Sequence, residues 1–191
     1  MALILASQSP RRKTLMELFS VPFTVRVADI DETMDAVLSP AQEVARVSRE
    51  KALAVPHAPE DVVVAADTIV VCGGNVLGKP KDEADAVRML TQLSGARHQV
   101  MTGVTVVKGT KIESFTEITD IDFRPLSQKE ITAYVRTGEP MDKAGAYGIQ
   151  GGAALFVSRL EGDYYNVMGL PVCRLGQVLK TVAPEIMEET V

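Results

Sequence analysis

VVVAADTIVV, residues 62–71, is a nearly continuous apolar segment that holds one carboxylate, Asp67, and one hydroxyl, Thr68. Its β-branched residues favour a strand, and the lack of alternation is typical of a strand covered on both faces. The segment is therefore predicted to lie centrally in a sheet. An ionised carboxylate in such a strand is costly unless it is paired, hydrogen-bonded or bound to a metal. Asp67 is thus a candidate functional residue, with a structural ion pair or a turn-stabilising Asp at the end of a strand as the alternatives.

Strands and helices alternate on both sides of this segment. Strands are predicted at 2–6, 23–28 and 153–160, with a hairpin of 99–107 and 112–123 around Gly109-Thr110. Helices are predicted to begin at Ser9-Pro10, at Ser39-Pro40, at Ser127 with Glu130, and at Pro171. The first has an apolar stripe of Leu15, Leu18 and Phe19, the second runs to about Ala54, and the last has Leu175, Leu179 and Val182 on one side. A further helix is marked by Ala86, Leu90 and Leu93. This order predicts an α/β fold with a mixed sheet flanked by helices.

The composition is that of an ordinary globular protein. The chain has 191 residues, of which 46% are hydrophobic and 24% charged, so a single domain over residues 1–191 is expected. A net charge of −5 argues against a nucleic-acid polymer as partner. The longest nearly apolar run, residues 62–72, is shorter than the roughly 20 residues that span a membrane.

The N-terminus and the cysteines bear on location. The apolar residues 1–6 precede Arg11, Arg12 and Lys13, which is the reverse of a secretory signal, so a cytoplasmic protein without membrane contact is expected. Cys72 and Cys173 belong to no CxxC pair, which argues against a disulfide framework. With only His57 and His98 in the chain, a histidine-based metal site is not expected.

A second candidate site is SQSPRR, residues 7–12, where a strand leads into a helix. A helix N-terminus presents unpaired N–H groups and a partial positive charge. Arg11 and Arg12 add bidentate donors there, although the helix dipole favours carboxylates in this turn. A bound phosphate explains such cations; solvation or pairing with acidic residues is the alternative. No GxxxxGK[ST] sequence is present, so this is not a P-loop.

The acidic segment DIDET, residues 29–33, has two functional interpretations. It matches the DxDxT of haloacid-dehalogenase phosphohydrolases, in which the first Asp, here Asp29, is a nucleophile. That motif usually follows the first strand, whereas here a strand and a helix precede it. The narrower interpretation is that Glu32 helps to bind a divalent cation, because hard cations prefer oxygen ligands. A solvated acidic loop is the third possibility.

The segment DKAGAYGIQGG, residues 142–152, is rich in glycine. Glycine permits unusual backbone angles and close approach to a ligand, and Gln150 offers a donor and an acceptor to a base edge. The segment does not match GxGxxG, and a flexible loop is the alternative. Lys51 and Lys79 are single basic residues that suit phosphate contacts, although such lysines usually lie on the surface.

Several motifs occur in order: LASQSPRR (5–12), REKA (49–52), ADT (66–68), GKP (78–80), LSG (93–95) and 142–151. Together they resemble the Maf family of nucleoside triphosphate pyrophosphatases, first described as septum-formation inhibitors, from about residue 3 to residue 180. The resemblance implies a fold similar to that of the inosine triphosphate pyrophosphatases, an elongated α/β structure with two lobes around a deep cleft. It also implies a homodimer. The expected reaction is hydrolysis between the α- and β-phosphates with magnesium, manganese or cobalt.

The resemblance also implies residue roles. Asp67 matches the proton acceptor that activates water, and Glu32 matches a carboxylate important for activity. The positions that handle the phosphates are matched by Ser7, Arg11, Arg12, Lys51 and Lys79. Arg11, Thr68 and Gln150 resemble the subgroup that acts on dTTP and UTP and on 5-methyl-UTP, pseudo-UTP and 5-methyl-CTP. The subgroup that prefers 7-methyl-GTP typically has a bulky residue in place of Arg11. The metal ligands are not identified by the sequence.

Two alternatives make different predictions. A haloacid-dehalogenase-like phosphatase would release orthophosphate and depend on Asp29. A non-enzymatic regulator of septum formation or cell division would keep its phenotype without Asp67.

Overall fold

The computed structural model describes residues 1–27, 29–33, 35 and 37–187. Strands in this part are β1 (Leu3–Leu5), β2 (Phe23–Val25), β3 (Val62–Cys72), β4 (Asn75–Leu77), β5 (Arg97–Lys108), β6 (Lys111–Phe123) and β7 (Val157–Glu161). Helices are α1 (Pro10–Glu17), α2 (Pro40–Ala54), α3 (Glu83–Leu93), α4 (Gln128–Val135), α5 (Tyr164–Met168), α6 (Val172–Val182) and α7 (Pro184–Met187). No helix within these ranges is long and apolar enough to span a membrane.

The strands form one mixed sheet. Their order is β2-β1-β3-β5-β6-β7, and β4 pairs with β3 outside this path. β1 runs parallel to β2 and β3, whereas β4 is antiparallel to β3 and β7 is antiparallel to β6. The predicted mixed α/β class, the central position of β3 and the hairpin of β5 and β6 are confirmed.

The chain divides into two compact units. The first comprises Met1–Asp67, Thr102–Glu117 and the chain from Gly169 onward. The second comprises Thr68–Met101 and Ile118–Met168. The boundary falls inside β3, between Asp67 and Thr68.

In the first unit, α2 packs directly on the backbone of β5. A Cβ atom added at Gly103 would lie 2.2 Å from the carbonyl oxygen of Val44, so only glycine fits there. The hydroxyls of the buried Ser48 and Thr105 lie 2.8 Å apart, and that of Thr105 lies 2.8 Å from the hydroxyl of Ser114. These contacts fix α2 against the sheet, and with it the side chains of its last turn.

The core of the second unit includes a buried histidine. His98 Nε2 lies 2.9 Å from the hydroxyl of Tyr147, and both rings make T-shaped contacts with each other and with Phe123. Burial lowers the pKa of His98 to about 4, so the ring is neutral at neutral pH. His98 therefore acts as a core residue, and it anchors Tyr147 of the glycine-rich segment.

The predicted helix starts are confirmed by their caps. Ser39 with Gln42 and Ser127 with Glu130 form capping boxes, and the side chain of Ser9 accepts the N–H of Arg12. α2 ends at Ala54, as predicted.

Other boundaries differ from the predictions. β2 ends at Val25; Ala28, in the predicted strand, lies outside the described residues. Leu18 is exposed because α1 ends at Glu17, and Met16 is buried in its place. β7 begins at Val157, since Gly152–Leu155 forms a 3₁₀ turn. β4, α5 and α7, at three to five residues each, were not predicted.

Candidate active site

Lys51 pairs with two carboxylates at once. Its Nζ atom lies 2.8 Å from Oδ1 of Asp67 and 2.9 Å from Oε1 of Glu32. The side chains of Lys51 and Asp67 are 16% and 17% exposed, whereas that of Glu32 is 57% exposed. The structure thus brings three predicted site residues together from α2, β3 and the acidic segment, all within the first unit.

Asp67 lies where the burial of β3 changes. Residues 62–66 are buried, and Asp67 and Thr68 are half-buried. The Lys51 ion pair compensates the partial burial of the carboxylate, as the sequence required. An ion pair alone also suits the structural alternative, so the surroundings of the pair decide between the two.

Arg46, which the sequence did not single out, ties the acidic segment to α2. Its Nη2 atom donates to the carbonyl of Thr33 at 2.9 Å, and its other nitrogens donate to Glu43 and Glu50. Glu43, only 1% exposed, accepts the backbone N–H of Asp35 at 3.1 Å. Hydrogen bonds from Arg46 lower the pKa of Glu43, which keeps its carboxylate ionised. The backbone on either side of residue 34 is therefore held to the helix that carries Lys51.

The DxDxT sequence contains a local turn. Oδ1 of Asp31 accepts the backbone N–H of Thr33 at 2.8 Å, and hydrogen bonds from Thr33 lower the pKa of Asp31. Both Asp29 and Asp31 are exposed. Glu32, between Asp31 and Thr33, is the residue of this segment that reaches Lys51.

The N-terminal turn of α1 is organised around Ser7. Its hydroxyl accepts the N–H of Ser9 and an N–H of Arg12, both at 3.2 Å. Nε of Arg12 donates to the carbonyl of Gly169 at 2.8 Å, so the guanidinium is held from two directions. Burial lowers the pKa of Arg12, and the positive charge of Arg11 lowers it further. The negative charges of Asp67 and Glu32 act in the opposite direction and raise it. The guanidinium stays cationic at neutral pH and shares the electrostatic environment of the two carboxylates.

The remaining predicted residues, Thr68, Lys79 and Gln150, belong to the second unit. Thr68 is half-buried, and Lys79 and Gln150 are exposed. The backbone N–H of Gly145 donates to the carbonyl of Gly78 at 3.0 Å, which joins the loop of Lys79 to the glycine-rich segment. Glu139 also organises that segment, and nothing in the sequence spacing had indicated it.

Glu32 and Asp67 offer carboxylate oxygens, the ligands that hard divalent cations prefer. The part of the chain that the structure describes holds no cluster of three or more His, Cys, Asp or Glu side chains able to bind a metal ion. Glu32 and Asp67 nevertheless converge on one cationic atom, Lys51 Nζ. Mg²⁺ is commonly bound through one or two carboxylates together with substrate phosphates. The residues therefore fit a cation that is shared with a phosphate-bearing substrate.

Comparisons with known proteins identify the family of the chain. Residues 2–182 match the family described as Maf-like protein. A dTTP/UTP pyrophosphatase of Bacillus cytotoxicus is 50% identical over 93% of this chain and 93% of its own length. One of Halalkalibacterium halodurans is 52% identical over 93% of this chain and 94% of its own. A HAM1 protein from Coxiella burnetii shares the fold with a TM-score of 0.51 at 13% identity, over 95% of this chain and 100% of its own. This chain is a member of the Maf family.

Proposed function

We propose that this protein hydrolyses dTTP and UTP to the nucleoside monophosphate and pyrophosphate. The observation that carries the proposal is the Lys51 ammonium bound by Asp67 and Glu32, in the same electrostatic environment as Arg11 and Arg12. The relatives named dTTP/UTP pyrophosphatase, about half identical over nearly the whole chain, support it.

The N-terminal turn of α1 supplies the phosphate site in this proposal. The helix N-terminus offers backbone N–H groups and a partial positive charge, and Arg11, Arg12 and Lys51 add full positive charges. Ser7 holds the Arg12 side chain in place. Phosphoryl-type transfer depends mainly on positioning and charge neutralisation, which these groups provide. Lys79 is proposed to contact the phosphates as well.

Asp67 acts as the base in this proposal. Lys51 donates to Oδ1 of Asp67 and so helps to hold the carboxylate, which in this proposal takes a proton from a water molecule. A lysine ammonium has three N–H donors, of which Asp67 and Glu32 use two, and the third can donate to a phosphate oxygen. A divalent cation held by Glu32 and Asp67 would neutralise charge on the phosphates.

In this proposal the combination of Arg11, Thr68 and Gln150 sets the preference for uracil and thymine, with Arg11 also among the phosphate contacts. The modified nucleotides 5-methyl-UTP, pseudo-UTP and 5-methyl-CTP are proposed as further substrates, and removal of such nucleotides from the pool as the biological purpose. The homodimer and the cytoplasmic location stay predictions, as does the choice among magnesium, manganese and cobalt.

The proposal is tested with the purified full-length protein and a panel of pyrimidine and purine nucleoside triphosphates, each with Mg²⁺, Mn²⁺ or Co²⁺. Pyrophosphate and orthophosphate are assayed separately. We expect pyrophosphate from dTTP and UTP in preference to the purine nucleotides. Orthophosphate as the first product, with dependence on Asp29, would instead support the phosphatase alternative. Absence of turnover on every nucleotide would support the regulatory alternative.

A further inference from the structure

Gln150 lies in a tight turn of the glycine-rich segment. The N–H of Gly151 donates to the carbonyl of Gly148 at 3.1 Å, which closes a four-residue turn with Ile149 and Gln150 at its centre. Gln150 is exposed, whereas the segment on its N-terminal side, Gly145–Tyr147, is buried. The turn thus presents one polar side chain from an ordered backbone.

Tyr134 and Glu139 hold the two ends of this turn. The N–H of Gly148 donates to the Tyr134 hydroxyl at 3.1 Å, and that hydroxyl donates to Oε1 of Glu139 at 2.8 Å. Oε2 of Glu139 accepts the N–H of Gly152 at 3.1 Å. One carboxylate therefore connects both sides of the segment that carries Gln150.

The backbone wraps closely around this carboxylate. A Cβ atom at Gly151 would lie 2.0 Å from Oε1 of Glu139, so any larger residue there would displace the carboxylate from its hydrogen bonds or shift the turn. Burial and the nearby Glu139 raise the pKa of Tyr134, so its hydroxyl keeps its proton and donates to the carboxylate at neutral pH. The direction of each hydrogen bond is thereby fixed.

The chemistry of a glutamine amide makes such fixation useful. Uracil and thymine present a carbonyl acceptor next to an N–H donor, whereas cytosine presents an amino donor next to a ring-nitrogen acceptor. A glutamine amide carries one acceptor and one donor group and can match either base after a half-turn. Because a half-turn of the amide reverses the match, discrimination requires that the amide keep one orientation against the base edge. A backbone held in place restricts the positions from which the amide reaches that edge.

We propose that Glu139, acting with Tyr134, is a positioning residue for base selection, because it holds the turn that presents Gln150 to the pyrimidine edge. This inference rests on the proposed function, in that it takes the substrate to be a pyrimidine nucleotide. Glu139 acts through Gln150 and does not itself touch the substrate.

The test compares UTP with CTP, because these nucleotides differ only in the donor and acceptor groups of the base edge that the glutamine amide would contact. Dissociation constants of their α,β-methylene analogues are measured by calorimetry, and kcat/KM is measured for the nucleotides themselves. Glu139→Ala removes both acceptors, and Tyr134→Phe removes the Gly148 contact while keeping the ring. In each variant we expect the preference for the uracil nucleotide to fall by about tenfold. Adding Glu139→Ala to Gln150→Ala should change the preference no further.

A matched control separates positioning from loss of stability. Thr119 is fully buried in the same unit, where its hydroxyl accepts the N–H of Asp163 and donates to the carbonyl of that residue. Thr119→Val should lower the melting temperature and leave the UTP/CTP preference unchanged. Tyr134→Phe carries the test if Glu139→Ala does not fold.

The outcomes separate this inference from the proposed function. An unchanged preference in Glu139→Ala and Tyr134→Phe, with only a lower melting temperature, would overturn the positioning role while hydrolysis of dTTP and UTP stands. If no nucleotide is hydrolysed, the proposed function fails, and a reduced analogue preference in the variants would still support the positioning role. If no nucleotide is hydrolysed and the variants also keep the wild-type analogue preference, both the proposed function and the positioning role fail.

Discussion

The Nζ atom of Lys51, in the last turn of α2, lies 2.8 Å from Oδ1 of Asp67, at the point where the burial of β3 is interrupted. The two residues are 16 positions apart in the chain, and no local structure forces them together. Their contact depends on the packing of α2 against the sheet at Gly103. The ion pair therefore links the rigid core of the first unit to the proposed catalytic carboxylate.

Replacing Lys51 by methionine should lower kcat/KM for dTTP by roughly 10²–10³-fold, because one preorganised donor to the reacting charge is lost. Methionine keeps most of the side-chain length. Lys180, exposed in the last turn of α6, provides a control lysine near the C-terminus of another helix. Steady-state kinetics of Lys51→Met and Lys180→Met with dTTP test this prediction. If both variants keep the wild-type kcat/KM, Lys51 has no role in the reaction.

Arg46→Ala should loosen the acidic segment, because the hydrogen bond to the carbonyl of Thr33, next to Glu32, is lost. Loss of such an outer contact typically weakens metal binding or activity by about 10–100-fold. We expect the Mg²⁺ concentration for half-maximal hydrolysis to rise by about tenfold. Arg88→Ala, which breaks a comparable i,i+3 ion pair with Asp85 in α3, is the control. The same Mg²⁺ requirement in both variants would contradict a role for Arg46.

Much of the fold could be predicted because its signals are local. The capping boxes at Ser39 and Ser127 mark their helices within four residues, and β3 is recognisable from its unbroken apolar run. The short β4, α5 and α7 contain too few residues for a periodic pattern. Leu18 was misplaced because α1 buries Leu15 and Met16, and Leu18 lies beyond its last residue, Glu17.

Gly103→Ala should destabilise the protein by about 2–3 kcal/mol, because the new methyl group would overlap the carbonyl of Val44. Gly176→Ala, in α6, is the contrasting variant: its methyl group would lie 3.4 Å from Phe19, which is ordinary contact. Alanine is favoured over glycine in a helix by about 0.5–1 kcal/mol, so this change should be neutral or stabilising. Chemical denaturation of both variants checks the difference. Equal stability would show that α2 does not need the close approach at Gly103.

His98 should make stability depend on pH. The folded-state pKa of about 4 lies below the ordinary value of 6.5, so the unfolded state takes up the proton first as the pH falls. Stability is therefore lost between about pH 6.5 and pH 4, by about 2 kcal/mol at pH 5 relative to pH 7.5. His98→Gln should remove this part of the pH dependence. Urea unfolding at both pH values tests the prediction, and an identical loss in the variant would contradict it.

The candidate site could be predicted only in part. Asp67 was singled out because an ionised carboxylate in an apolar strand is costly unless it is paired. Arg11 and Arg12 were singled out because the helix dipole disfavours cations at a helix N-terminus unless an anion is bound there. Arg46 and Glu139 gave no such signal, since a charged residue on or near a helix is usually solvated. Their roles arise from hydrogen bonds to Thr33 and Gly152, which only the folded chain brings within reach.

The most direct test of the central claim is the release of pyrophosphate from dTTP by the wild type and by Asp67→Asn. Asp120→Asn serves as the control, because Asp120 is also a strand carboxylate paired with a cation, Arg97, at 3.0 Å. If Asp67 is the base, the wild type and Asp120→Asn release pyrophosphate at similar rates, and Asp67→Asn keeps its fold and loses most of the activity. Normal turnover by a folded Asp67→Asn protein would contradict the assignment of Asp67 as the base.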